Sequence, residues 1–153
     1  MLDVVLHPGR DRAVRRRHPW VLSGSVDRVS GTPEPGEWCR VLSAEGEVLA
    51  YGDLSAESRI RVRLMSFGKD PPAPGLLDER IEAAVARRAT AGLIGETDAV
   101  RLVNAEGDGL PGLIADRYAD VVVVKFTSAG MATRREVVTE ALRRATGAAA
   151  GFE

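Results

Sequence analysis

Apolar residues in this chain follow two rhythms. Over the first sixty-odd positions they come in short runs or at every second residue, broken at close intervals by glycine and proline, a pattern that predicts strands and turns. Leu2 to Leu6 reads as a strand ended by His7-Pro8-Gly9. Asp11 to Arg17 reads as a helical turn or two, stopped at His18-Pro19 because a residue before proline avoids the helical region. Val21-Leu22 opens a second strand and Ser25 to Ser30 continues extended, up to the rigid turn Gly31-Thr32-Pro33-Glu34-Pro35-Gly36. Trp38 to Ser43 and Glu47 to Gly52 are strands about a tight Ala44-Glu45-Gly46 turn. Arg59 to Leu64 alternates strictly with period two. These short strands predict a small barrel or sandwich.

Gly68-Lys69-Asp70-Pro71-Pro72-Ala73-Pro74-Gly75 has no apolar periodicity and three prolines, and marks a linker. Beyond it the rhythm becomes mixed. Leu77 to Gly92 is helical, with Leu77, Ile81, Ala84, Val85 and Arg88 on one face. Val100 to Asn104 is a strand, residues 105–112 a loop, and Leu113 to Tyr118 with Val121 to Thr127 a hairpin about Ala119-Asp120. Met131 to Ala145 is one amphipathic helix offering Met131, Val137, Val138, Ala141 and Leu142 for packing, closed by Gly147. Ala148 to Glu153 begins another strand. The expected class is α+β: a small β-barrel over residues 1–68, a proline-rich linker over 69–76, and an α+β domain over 77–153 with a hairpin and packed helices. Because the chain ends inside a strand, that domain is expected to be truncated.

Composition narrows the function classes. A net charge of −1 makes the chain nearly neutral overall, so any nucleic-acid affinity must come from local patches. No run of about 20 apolar residues is present and Met1-Leu2-Asp3 does not open a signal peptide, so the expectation is a cytoplasmic protein with no membrane partner. One cysteine, Cys39, and two histidines make a disulfide impossible within the chain and a metal site unexpected; Cys39 reads as buried filler in a strand.

The local charge is concentrated in Gly9 to Ser25. Arg10, Arg12, Arg15, Arg16 and Arg17 face one acid, Asp11, a balance of +4, and His18 and Trp20 follow. A basic run flowing into an aromatic residue and a strand suits a grip on phosphates, while the same run suits an ordinary solvated helix. Arg59, Arg61 and Arg63 point to one side of a strand while Ile60, Val62 and Leu64 fill the core. That ladder fits a phosphate backbone, or else pairs with acids such as Glu57 or Asp53. Trp20 either stacks on an unpaired base or plugs the barrel, and His18 before proline reads more readily as a structural hydrogen-bonder. The loop Glu106-Gly107-Asp108-Gly109-Leu110-Pro111-Gly112 leads into a strand rather than a helix, so it fails the dinucleotide pattern. It reads as a structural turn, with Gly107, Gly109 and Gly112 at unusual backbone angles, while Glu106 and Asp108 leave open an acid-base or metal pair. No Ser-His-Asp set, P-loop or paired zinc ligands are present.

Two stretches together resemble one family. GRDRAVRRRHPWVLSGSV, Gly9 to Val26, is similar to the amino-terminal signature of class I S-adenosylmethionine-dependent large-subunit rRNA cytosine-5 methyltransferases, where it lies in a PUA domain, an RNA-binding module. Ser58 to Arg63 is similar to the last strand of that module, and RLVNAEGDGLPGLIADRYADVVVVKF, Arg101 to Phe126, looks like the family's central domain. The resemblance implies rRNA as partner and RNA contact by Arg10, Arg12, Arg15, Arg16, Arg17, His18 and Trp20, extended to Arg59, Arg61 and Arg63. It implies S-adenosylmethionine as cofactor of the full-length protein, held by a Rossmann-like methyltransferase domain that follows and carries the catalytic cysteines. That domain is expected to be absent from these 153 residues, which then hold no cofactor or catalytic residue and are inactive alone. Other readings remain: a stand-alone RNA-binding module, or a protein-interaction domain docking or forming a homodimer through Val121 to Phe126.

Overall fold

The computed structural model describes the backbone of residues 1–152 and the side chains of all of these except 95, 96 and 149–152. The chain divides into two compact units, Met1–Ala73 and Pro74–Glu153.

In the first unit the elements run β1 (Leu2–Leu6), α1 (Arg12–Arg15), β2 (Trp20–Leu22), a 3₁₀ turn (Ser23–Ser25), β3 (Val26–Val29), β4 (Trp38–Leu42), β5 (Val48–Leu54) and β6 (Ile60–Phe67). All six strands form one sheet in the order β2-β6-β5-β4-β1-β3. Only β1 and β4 run parallel; the other neighbours are antiparallel. The outermost strands, β2 and β3, are consecutive in the chain and joined by the short 3₁₀ turn, so the sheet must curl until its edges approach. The apolar alternation fills the inside of the curl with Val4, Leu6, Val14, Val21, Val41, Leu54, Val62 and Leu64.

Strand β6 carries Arg61 and Arg63 of the arginine ladder, and Arg59 precedes its first residue. The strand pairs with β2 on one side and β5 on the other, in the registers Trp20↔Arg63 and Asp53↔Arg63. Between Tyr51 and Gly52 the β5–β6 register shifts by a residue, a bulge that leaves both Leu64 and Met65 buried and ends the strict alternation. A Cβ at Gly52 would lie inside contact distance of the Arg63 carbonyl, so the two backbones approach this closely only because residue 52 is glycine.

The second unit runs α2 (Leu76–Thr90), α3 (Leu93–Glu96), β7 (Ala99–Asn104), a 3₁₀ turn (Ala105–Asp108), β8 (Leu113–Tyr118), β9 (Val121–Phe126), α4 (Ala129–Thr133), α5 (Arg135–Thr146) and β10 (Ala149–Phe152). Its sheet has the order β10-β9-β8-β7. Leu77, Ile81, Ala84 and Val85 bury one face of α2, which packs beside α5. The helix expected over Met131 to Ala145 is broken in two at Arg134, and the Ser128 hydroxyl caps α4 by accepting from the Met131 N–H at 3.2 Å. Val137, expected in the packed face, is 51% exposed, because the adjacent Val138 takes the inward position and successive helical residues diverge by about 100°.

The topology corrects the expected α+β class. Strand β10 pairs with β9 in parallel, Ala149 opposite Val121, and α4 and α5 form the crossover between them. A parallel pair joined through helices is a βαβ unit, here at the edge of a mixed sheet whose β9–β8 and β8–β7 pairings are antiparallel. Sequence periodicity marks the strands and helices but carries no sign for strand direction, so the parallel pairing was invisible to it.

The loop at residues 105–112 is a packed anchor. Asp108, with 3% of its side chain exposed, accepts a two-pronged grip from Arg88 (2.6 and 2.7 Å), a further bond from Arg87 (2.6 Å) and one from the Asn104 N–H (2.6 Å). Desolvation pushes the Asp108 carboxyl up, but the hydrogen bonds from Arg88, Arg87 and Asn104 outweigh it and bring it down to about 2. Arg80 donates to the Gly109 carbonyl, and Gly109 and Gly112 take positive φ of 69° and 91°. A side chain at Gly112 would collide with the Ser128 hydroxyl. Gly107, also expected at an unusual angle, is not among the positive-φ glycines, since it sits inside the 3₁₀ turn.

Asp108 is expected to register in two stability measurements. Its folded-state value lies below the usual carboxylate value of 3.8, so its contribution, about 2 kcal/mol by linkage, is complete above about pH 5 and is lost progressively as pH falls through about 2. Asp108→Ala removes this acid-dependent step from a urea-midpoint-against-pH profile. At neutral pH the same variant costs about 3 kcal/mol, because a half-buried Arg88 loses its partner.

Candidate nucleic-acid interface

The arginine run does not act as one patch, because the backbone sorts its members. Only Arg12–Arg15 is helical, and Arg17 takes a left-handed φ of 61° that turns the chain toward β2. Arg15 is committed within the fold: it donates to Asp11 at 2.6 Å and to Glu47 at 2.5 Å. The hydrogen bonds that Arg15 donates to Glu47 and then to Asp11 raise its guanidinium above its ordinary value, and the same bonds lower the carboxyls of Asp11 and Glu47. Arg17 lies over the Phe67 ring at 5.9 Å, a cation–π contact beside Lys69 in a groove also lined by Val14, Arg15 and Glu47. Arg10, Arg12 and Arg16 are exposed and form no ion pair among the described residues.

His18 and Trp20 form a local brace. The Trp20 N–H donates to His18 Nδ1 at 3.2 Å, and the two rings meet edge to face at 5.8 Å. His18 thus makes a local hydrogen bond of the kind its position before proline leads one to expect. Trp20 is half-buried and stands across from Arg63, so its side chain and those of the arginine ladder emerge on the same outer side of the sheet, while Val21 and Val62 point inward.

That register joins two features separated by about forty residues of sequence. Arg59 is exposed, Arg61 and Arg63 are half-buried, and all three carry their guanidiniums at or beside this sheet edge. At the end of the ladder a groove of about 640 Å³ is lined by Arg10, Trp20, Leu22, Ser23, Gly24, Ser25, Arg59 and Ile60. Of the ten residues singled out from sequence, Arg10, Trp20 and Arg59 meet in this groove; Arg61 and Arg63 continue the same strand, and Arg15 and Arg17 line the other groove. Leu22 and the 3₁₀ turn at Ser23–Ser25 were missed. The signal for Leu22 was available: two positions from Trp20 in a strand, it had to share Trp20's side, and it is 51% exposed.

The remaining candidates have structural roles. Cys39 is fully buried, its thiol beside the Gly52 carbonyl at 3.5 Å and pushed up to about 12 by burial and then by the nearby Asp53 charge. Asp108 is spent on arginines, which answers the acid-base reading of its loop, and no cluster of metal-ligating side chains occurs among the described residues. The same loop, closed by Arg80, Arg88 and Ser128, does not fit S-adenosylmethionine, since the space that glycines would open is filled from within the fold. No described helix is long and apolar enough to cross a membrane.

Comparison with known proteins gives this surface its context. Residues 4–67 match the PUA-like domain family. The matched residues lie within the first unit. Over 145 residues, 92% of this chain, the sequence is 39% identical to ribosomal RNA large subunit methyltransferase I of Aliivibrio fischeri, and over 142 residues it is 40% identical to the protein of that name from Vibrio cholerae. The chain spans 36% and 35% of the length of these two relatives.

The fold has matches among solved structures. A protein described as a SAM-dependent methyltransferase from Streptococcus mutans superposes with a TM-score of 0.82 at 18% identity, over 99% of this chain and 40% of its own. SMU.776, described as a methyltransferase complexed with SAH, gives 0.82 at 16% identity, over 100% of this chain and 40% of its own. These matches overturn the expectation of a fold from which methyltransferase architecture is missing: the PUA-like unit and the α/β unit both have counterparts inside methyltransferase structures. The expectation failed because it searched for a glycine-rich cofactor motif, and a motif reports on one loop, whereas a fold is shared through layers and strand order.

The buried thiol generates a direct test. Cys39 in the native chain is expected to be inert to a thiol reagent at pH 8, because both access and thiolate are withheld, and to react fully once the chain is unfolded in guanidinium.

Proposed function

We propose that the PUA-like domain binds RNA through the outer face of β6 and the residues around Trp20, and that it does so for a methyltransferase acting on large-subunit ribosomal RNA. The observation that carries this reading is the Trp20↔Arg63 register, which merges the basic run and the arginine ladder into one surface. Unpaired guanidiniums are suited to phosphates because each offers a planar fork of donors that water satisfies only loosely. Arg10, Arg12, Arg16, Arg59, Arg61 and Arg63 supply the phosphate contacts; Arg15 holds α1 against Glu47, and His18 braces Trp20. Arg17, on Phe67, stands at the margin of the surface.

In this reading the PUA-like domain occupies residues 1–68, residues 69–76 connect it, and the α/β unit over 77–153 follows. The whole protein transfers a methyl group from S-adenosylmethionine, and the resemblance over Gly9 to Val26 and Arg101 to Phe126 assigns the acceptor as C5 of a cytosine. Relatedness to ribosomal RNA large subunit methyltransferase I over nearly the whole chain supports the substrate class.

Salt-dependent binding distinguishes the arginines. Arg10→Ala, Arg16→Ala and Arg59→Ala each reduce the slope of log affinity against log salt for an rRNA fragment by about 0.7, one phosphate contact apiece. Arg15→Ala leaves that slope unchanged, because its charge is already spent on Asp11 and Glu47. Equal slopes for all four variants and the parent would refute the proposed surface.

A further inference from the structure

The groove at the end of the arginine ladder has a composition that phosphate binding alone does not explain. Its wall carries Trp20, Leu22 and Ile60, all from the sheet edge formed by β2 and its neighbour β6, and Leu22 is among the few large apolar side chains left exposed in the described structure. An exposed leucine beside a tryptophan costs solubility and adds nothing to a pure electrostatic grip. Arg10 and Arg59 line the same groove, and neither has an ion pair among the described residues. The hydroxyls of Ser23 and Ser25 and the backbone of Gly24 complete the lining.

We propose that this groove receives one unpaired nucleotide, so that the domain selects single-stranded over duplex RNA. The inference rests on the RNA-binding reading above and adds the substrate class. Each part of a nucleotide finds a matching group: the base, an apolar wall of Trp20, Leu22 and Ile60; the flanking phosphates, Arg10 and Arg59; the ribose 2′-hydroxyl or a base edge, the serine hydroxyls. A paired base cannot supply this contact, since its faces are stacked and its edge is turned to its complement. Arg61 and Arg63, two residues apart in β6, continue the row of guanidiniums beyond the groove, and the register shift between Val21↔Val62 and Leu22↔Ile60 turns Ile60 toward the groove beside Arg59. His18, edge-on to Trp20, keeps the indole from rotating out of the wall.

The test compares one mixed-sequence RNA oligomer, free and annealed to its complement, in fluorescence-anisotropy titrations with the full chain. The single strand is expected to bind at least tenfold tighter. Trp20→Ala is expected to weaken single-strand binding about tenfold while leaving the salt slope and duplex binding unchanged, because a stacking partner is removed and no phosphate contact. Leu22→Ser, at an exposed position that does not support the core, is expected to act in the same direction with the fold intact by circular dichroism, and so covers the case in which Trp20→Ala unfolds. Equal affinity for the two RNAs, or equal losses on both in Leu22→Ser, would overturn the unpaired-nucleotide site while leaving RNA binding in place. Absence of affinity for either RNA at low salt would overturn both readings together.

Discussion

The backbone pairing of β6 governs the rest of the first unit. Held by β2 on one side and β5 on the other, this strand cannot rotate about its own axis, so its pleat sends Val62 and Leu64 into the core and Arg61 and Arg63 outward. A slip of one residue would bury guanidiniums and expose valine, which makes the core the guardian of the charged face. Gly52 fixes the same strand from behind, because the β5 backbone lies against the Arg63 carbonyl where no side chain fits. The bulge at that point then buries Met65 and ends the ladder at Arg63.

The α/β unit is fixed by a different device. A carboxylate gripped by two arginines of α2 and by the Asn104 N–H ties the helix to the loop between β7 and β8. Its desolvation is compensated by four hydrogen bonds, so the ion pair specifies a position at little net cost. The two units therefore use opposite treatments of arginine. Arg87 and Arg88 are satisfied inside the fold, whereas Arg10, Arg16 and the ladder keep their donors for something outside it.

Local elements were readable from the chain because their signals are local. Alternation in Ile60 to Leu64, the stop at His18-Pro19 and the apolar face of Leu77, Ile81, Ala84 and Val85 each depend on neighbours within a few residues, and the structure places strand, turn and helix there. The break at Arg134 was not readable, since the residues around it suit a helix and only the capped α4 shows the chain restarting. Within the candidate surface, sequence marked the arginines by type but not by availability. Arg15 and Arg16 are adjacent and chemically identical, yet one meets Glu47, thirty-two residues away, and the other meets solvent.

By itself the sequence determined which residues form strands and helices, that the charge is local, and the families it resembles, because periodicity and composition are properties of the linear chain. Tertiary structure alone decided three matters. It chose the direction of β10, which makes a βαβ unit of what reads as a hairpin, a helix and the start of a further strand. It set Trp20 opposite Arg63, merging two distant motifs. It also chose which arginines were tied and which were left open. Each depends on residues far apart in the chain meeting in space, and pairing free energy acts on that distance, which no local pattern records.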